Sequence, residues 1–345
     1  MQQQTVRIRR PHIDEILGDS ATRYFGAGFR QVRHRLYDVR VDVRNRSANL
    51  VVEVQYPSAW SKKRNRELQP HLSTIDAMTV AADLAELYLR QAYGLSAADA
   101  ARCWIRRSVM KASATPTTDL AHVSASTTLE RTEASADAIC GHFSQLKCVI
   151  GSMNVELVVD HPIVEATNHS ASYAQIDDAL GPAACRHYAE GHKGTFIDLS
   201  DIVADAPDRA AATMILQPSP APGAPDGLSA SYEPFVSMMH ALVAAAQMSQ
   251  VVLYQFDQIT RETSNNMWLR RLAMEMHRPT TIDRPLLIQT WITKTNVLPM
   301  KASQWRSANF VTSFPGIQMD YNLAHELTST TSASTSAPAT TERTP

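Results

Sequence analysis

Asp76 and His240 are the residues of this 345-residue chain whose type and placement point most directly to acid–base chemistry. Asp76 falls at the start of an apolar run that reads as a long helix. A carboxylate there serves either as a helix cap or as a general base on an activated methylene or a sugar hydroxyl. Ser73-x-x-Asp76 spells a capping box, so both readings stand. His240 lies 240 − 76 = 164 residues later, at the start of a second apolar run. The helix dipole disfavours an imidazolium at that end, so burial would hold His240 neutral, as a base or a hydrogen-bond donor. His71, just ahead of the first run, is placed to reach a pocket mouth. Lys62 and Lys63, with Trp60, lie on the preceding polar loop and suit a phosphate or the acidic face of a carrier protein.

The elements that would position these groups are legible from periodicity. From Ile75 to Arg90 the chain is apolar except for Asp76, Thr79, Asp83, Glu86 and Arg90, whose spacing of 3, 4, 3, 4 puts them on one side of a helix. From Val236 to Tyr254 the equivalent positions are His240, Val243, Gln247, Gln250 and Tyr254, which carry no charge when His240 is neutral. Gln247 is therefore the polar group of the second helix best placed to meet a ligand. Loss of charge along the line predicts that this side of both helices is covered. The capping sequence of the first helix is not spelled in the second, where Ser237 is followed by His240 and no carboxylate. Such divergence predicts one working site and one remodelled for binding.

The correspondence extends beyond the helices. Residues 13–42 align without a gap on 176–205, and Ile13, Asp14, Leu17, Gly18, Ala21, Arg23, Gly28, Leu36, Asp38 and Asp42 recur identically. About two identities would arise by chance, so the chain reads as a tandem duplication. Trp104-Ile105-Arg106-Arg107 returns as Trp268-Leu269-Arg270-Arg271, and Pro116-Thr117-Thr118 as Pro279-Thr280-Thr281. Kept in both copies, the tryptophans suit packing. Val39, Val41 and Val43, then Leu50, Val52, Val54 and Tyr56, alternate with polar residues as a hairpin with one buried face. Each copy reads strand-strand-helix-strand-strand-strand, and the Pro/Gly-rich loop 218–227 reads as an irregular lid.

One long apolar helix wrapped by a curled antiparallel sheet is the hot-dog plan. The expected fold is α+β: a tandem double hot-dog of two curled antiparallel sheets, each wrapping one long central helix, a pseudo-dimer in one chain. The expected divisions are 1–165 and 166–325 for the two repeats and 326–345 for a disordered Ser/Thr/Pro tail.

Bulk properties narrow the function. A net charge of −1 argues against a general nucleic-acid binder, and the basic clusters at Arg7–Arg10, Arg30–Arg35 and Lys62–Arg66 read as solvated faces. The four cysteines show no CxxC pair and no zinc spacing, so reduced thiols in a cytoplasmic protein and no bound metal are expected. The first residues carry no apolar h-region, and no apolar run reaches the roughly 18 residues of a membrane span. With no GxSxG, HExxH, P-loop or dinucleotide fingerprint, a mechanism without cofactors is expected.

Phe25-Gly26-Ala27-Gly28, Tyr56-Pro57-Ser58-Ala59-Trp60-Ser61-Lys62-Lys63 and Pro70-His71-Leu72-Ser73-Thr74-Ile75-Asp76 together resemble the avirulence D (AvrD) family of plant-pathogenic pseudomonads and related actinobacterial proteins, over roughly residues 10–325. The resemblance implies a part in making syringolides, C-glycosyl lipid elicitors thought to join a β-ketoacyl chain to a pentulose such as xylulose. It is similar in logic to the AfsA enzymes, which couple a β-ketoacyl thioester to a three-carbon sugar phosphate on the way to butyrolactones. More distantly, Ile75-Asp76-Ala77-Met78 resembles the helix start of hot-dog dehydratases. Those enzymes also place a histidine upstream of the acid, where this chain has Lys62, a departure that argues against simple dehydration.

The expected activity is thus transfer or condensation of a β-ketoacyl group from an acyl carrier protein or CoA thioester to a sugar or sugar-phosphate acceptor, compatible with an oligomer. Helix N-terminal N–H groups would hold the thioester carbonyl while Asp76 or His240 takes a proton. No nucleophilic Ser or Cys stands out, which favours direct transfer over an acyl-enzyme. A hot-dog dehydratase or thioesterase, or a non-catalytic acyl-ligand binding protein, are the alternative readings.

Overall fold

In the computed structural model the described residues are 8–58, 62–63, 66–67, 69–218, 223–282, 284–300 and 303–327. Two 20-residue helices, Thr74–Tyr93 and Met238–Asp257, form as the periodicity predicts. The first starts at the Ser73 cap and stops at Gly94, which takes a left-handed conformation (φ 62°) that a residue without Cβ adopts freely. The second starts at Ser237 and stops at Gln258, left-handed without glycine's help (φ 52°).

Fourteen of the described strands form one antiparallel sheet. Its order is Ile8–His12, Thr195–Ala206, Arg209–Pro218, Leu286–Met300, Ser303–Phe314, Ile317–Glu326, Met267–Met276, Trp104–Lys111, Met153–His161, His142–Ile150, Val123–Ala134, Ser47–Gln55, Arg33–Asp42 and Ala171–Gln175. The first helix packs on strands of the 33–161 half and the second on strands of the 195–314 half. A long helix against a curled half-sheet therefore occurs twice, as expected. The two curled sheets expected, one per copy, are joined edge to edge: Arg271–Glu275 pairs with Lys111–Arg107, so the two halves make one continuous sheet. Two edge strands would each present unpaired N–H and C=O groups, and joining satisfies both, with an Arg107–Glu275 ion pair at 3.2 Å across the seam.

The outer strands are exchanged. Ile8–His12 pairs with Thr195–Ala206 in the far half, and Ala171–Gln175 pairs with Arg33–Asp42 in the near half. The registers match: His12 faces Ser200 as Gln175 faces Tyr37, and the counterparts His12 and Gln175, like Tyr37 and Ser200, are 163 residues apart. Asp38 and Asp201, again 163 apart, both have positive φ (54° and 50°), and each sits at an irregularity in its hairpin. Sequence duplication is thus copied down to single backbone angles.

Asp76, Thr79, Asp83 and Glu86 on the first helix are all buried, as the comparison of the two polar lines predicts. Arg186 covers Asp83, and the Leu228 N–H bonds Glu86 Oε2 at 3.0 Å. The expected lid thus has a described part, 223–227, leading into a segment that packs on this helix. Residues 219–222 lie outside the described residues, as do Trp60 and 328–345 of the expected tail.

Candidate active site at the start of the first central helix

Both halves of the Ser73–Asp76 capping box form: the Asp76 N–H donates to Ser73 Oγ (3.2 Å), and the Ser73 N–H to Asp76 Oδ2 (2.8 Å). The carboxylate does more than cap. It is fully buried, its Oδ1 receives His34 Nε2 at 2.8 Å, and its Oδ2 also receives the Tyr56 hydroxyl. Tyr24 OH lies 2.5 Å from Ser73 Oγ, and its ring stacks on Tyr56 with centroids 6.0 Å apart. Burial alone would raise the Asp76 carboxyl. Hydrogen bonds from His34, Tyr56 and Ser73 outweigh it and hold the group below the usual range. Asp76 is therefore an ionised hub, not the raised-pKa carboxyl that a free general base would need. Burial, reinforced by the nearby Asp76 charge, pushes Tyr24 and Tyr56 up, so both remain phenols.

A cavity of about 790 Å³ opens beside this hub. At one end it is lined by Tyr24, His71 and Ser73, and along its length by the second helix through Leu242, Ala245, Ala246 and Gln247. Most of its wall is apolar, and its size falls within the range of small-molecule sites. The wall comes from both copies: the first provides the helix start, the second the helix flank. Gln247 Oε1 accepts from Arg23 Nη1 at 2.7 Å, and Arg23 also pairs with Asp14. His71 lies 5.1 Å from Trp268, centroid to centroid. Trp268 therefore faces ligand space, whereas its counterpart Trp104 is buried packing.

At the start of the second helix a cap forms that the sequence does not spell. The Ser237 N–H donates to His240 Nδ1 and the His240 N–H to Ser237 Oγ, both at 3.3 Å, so imidazole replaces carboxylate. Accepting at Nδ1 places the proton of the neutral ring on Nε2. Burial, then the neighbouring His187, pushes His240 down to about 3. His187 stands edge-on to it at 5.5 Å, with Nδ1 on Glu233 at 2.6 Å.

Of the residues predicted from sequence, His71 and Gln247 line the cavity and Asp76 stands one hydrogen bond behind it through Ser73. His240 belongs to the histidine cluster, not to the cavity wall. Lys62–Lys63 form a short strand paired with Arg66–Glu67, and their side chains, like Trp60, lie outside the described residues. Tyr24, His34 and Tyr56 are the participants that sequence reasoning missed. Their signal was faint: a lone imidazole within the basic run Arg33–Arg35, one tyrosine, Tyr56, opening a motif noted for another reason, and another, Tyr24, just ahead of one. Among the described residues no three His, Cys, Asp or Glu side chains are grouped to hold a metal ion.

A family model described as "Pseudomonas avirulence D protein (AvrD)" matches residues 10–328. No curated protein matches the chain. Among solved structures, the tesB protein of Mycobacterium avium subsp. paratuberculosis is similar with TM-score 0.42 and 10% identity, over 80% of this chain and 92% of that one. A Mycobacterium tuberculosis protein described as a double hot-dog fold gives 0.40 and 9%, over 75% and 83%. An acyl-ACP thioesterase from Bacteroides thetaiotaomicron gives 0.38 and 9%, over 81% and 99%.

Proposed function

The chain belongs to the AvrD family, and on that premise we propose that it is an enzyme transferring or condensing a β-ketoacyl group from a carrier-protein or CoA thioester to a sugar-like hydroxyl acceptor. The observation that carries this reading is the cavity, apolar along the second helix and polar where it meets the first helix start. The acyl chain lies along Leu242, Ala245 and Ala246. The thioester carbonyl sits at the first turn of the first helix, whose N–H groups and positive dipole end stabilise an oxyanion. The acceptor hydroxyl meets the Tyr24–Ser73 pair, behind which stands ionised Asp76. In the reaction the acceptor oxygen bonds the acyl carbon, the carbon–sulfur bond breaks, and the hydroxyl proton passes by way of this network to the departing thiolate. No net proton is gained.

The test is to incubate the purified protein with β-ketoacyl carrier protein and xylulose and to look for the acyl–sugar adduct by mass spectrometry. Adduct formation is expected. Absence of product with every sugar and sugar phosphate tried overturns the reading, and release of the carrier thiol without an acceptor replaces it with hydrolysis.

A further inference from the structure

Asp76 has a second face. His34 Nε2 occupies Oδ1, and the His34 side chain is only 4% exposed, yet its Nδ1 has no hydrogen-bond partner among the described residues. Thr79 Oγ1, one turn along the helix, is buried and without a partner in the same way. Both residues line a small pocket of about 90 Å³, separate from the large cavity. That volume suits about three water molecules and no sugar. The outer wall of the pocket includes Arg35 and Asp177, whose side chains are 60% and 48% exposed, so it reaches the surface. Asp76 thus lies between two spaces: the hydroxyls of Tyr24, Ser73 and Tyr56 lead to the cavity, and His34 leads to solvent.

We propose that His34 is the proton-relay residue of this site, exchanging protons between Asp76 and water in the small pocket. In one direction Nδ1 takes a proton from the pocket, Nε2 gives its own to Asp76 Oδ1, and Asp76 supplies the hydroxyls through Oδ2. In the other direction each transfer reverses. The second copy has no such path. The counterparts of His34, Asp76 and Thr79 are Ile197, His240 and Val243, so the apolar Ile197 and Val243 replace both groups that line the small pocket. This asymmetry fits one working site and one that is not.

The inference rests on the reading that chemistry occurs at the first helix start, and its test has one arm for each. In the acceptor assay, His34→Ala should lower turnover about 100-fold, within the usual range for a lost proton-transfer group. Added imidazole, entering by the small pocket, should restore at least about ten-fold of that loss. A folded His34→Ala protein that keeps wild-type turnover, or whose loss imidazole does not reverse, overturns the proposal. Nitrogen-15 NMR of histidine-labelled, full-length wild-type protein is the arm that needs no turnover. His34 should show a protonated Nε2 and a bare Nδ1, with an Nε2 proton that exchanges with water several-fold more slowly in Thr79→Val. The opposite tautomer, or exchange indifferent to Thr79→Val, also overturns it, whether or not the acyl-transfer reading survives.

Discussion

Arg186, from the second copy, reaches the first central helix and bonds Asp83 through Nε (3.3 Å) and Nη2 (3.1 Å). Its counterpart Arg23, from the first copy, reaches the second helix and finds neutral Gln247 where the first has Asp83. Each copy thus plants a guanidinium on the other's helix. With Asp83 the contact is a buried ion pair in a crowded polar patch; with Gln247 it borders the large cavity.

Removing one partner of the buried pair should be costly. Asp83→Ala leaves the Arg186 charge buried, with half-exposed Asp177 and the Gly181 carbonyl as its remaining hydrogen-bond partners, and is expected to lower stability by about 3–5 kcal/mol. Gln247→Ala removes a neutral acceptor beside open space and should cost about 1 kcal/mol. Urea denaturation of both variants checks the ratio, and equal losses would contradict the asymmetry.

Glu86 is the next test of that patch. Burial, then the adjacent Asp83 charge, pushes its carboxyl from 4.5 up to about 7. The folded chain therefore holds a proton that the unfolded chain releases, so stability declines as pH rises through this interval, by up to about 3 kcal/mol. Glu86→Gln keeps an acceptor for the Leu228 N–H without the charge. It should stabilise the protein at pH 8 and flatten the decline between pH 5 and 7, as measured by thermal melts across pH.

The histidine cluster should act at lower pH and with the opposite sign. His240 falls from 6.5 to about 3, and burial also lowers His192, whose ring lies 6.5 Å from that of His187. Between these limits the unfolded chain binds protons that the folded chain refuses, so stability declines as pH falls below about 6.5. Each histidine adds a slope of up to about 1.4 kcal/mol per pH unit. His240→Asn should remove one such contribution, visible as a shallower acid limb in denaturation midpoints.

The two helix starts should separate in activity. Asp76→Asn keeps an acceptor for the Ser73 N–H but discharges the hub that holds His34 and Tyr56. Turnover in the acceptor assay should fall at least about 100-fold, with a stability cost of about 1–3 kcal/mol. His240→Ala should lose stability while retaining most turnover, because His240 does not line the cavity. The reverse pattern would move the reaction to the second copy.

Cavity length should set chain preference. Ala246 lies on the second helix against open space, so Ala246→Phe narrows the tunnel without overpacking the core. Turnover with long acyl chains should fall about ten-fold relative to short ones, read from a series of thioesters.

Local pattern determined the parts. A 3.6-residue apolar period, a Ser at each start and recurring identities at offsets of 163 and 164 located both helices, the duplication and the covered polar lines, because each of these is written in neighbouring residues. Tertiary structure alone decided how the parts meet. Strand exchange brings Arg23 to Gln247, 224 positions away, and Arg186 to Asp83, 103 away. The register of strand Arg33–Asp42 sets His34 against Asp76. Whether a buried carboxyl rises or falls depends on donors drawn from such distant segments, so the period that placed Asp76 could not fix its charge. His240, at the same helical position, met other neighbours and became a neutral cap.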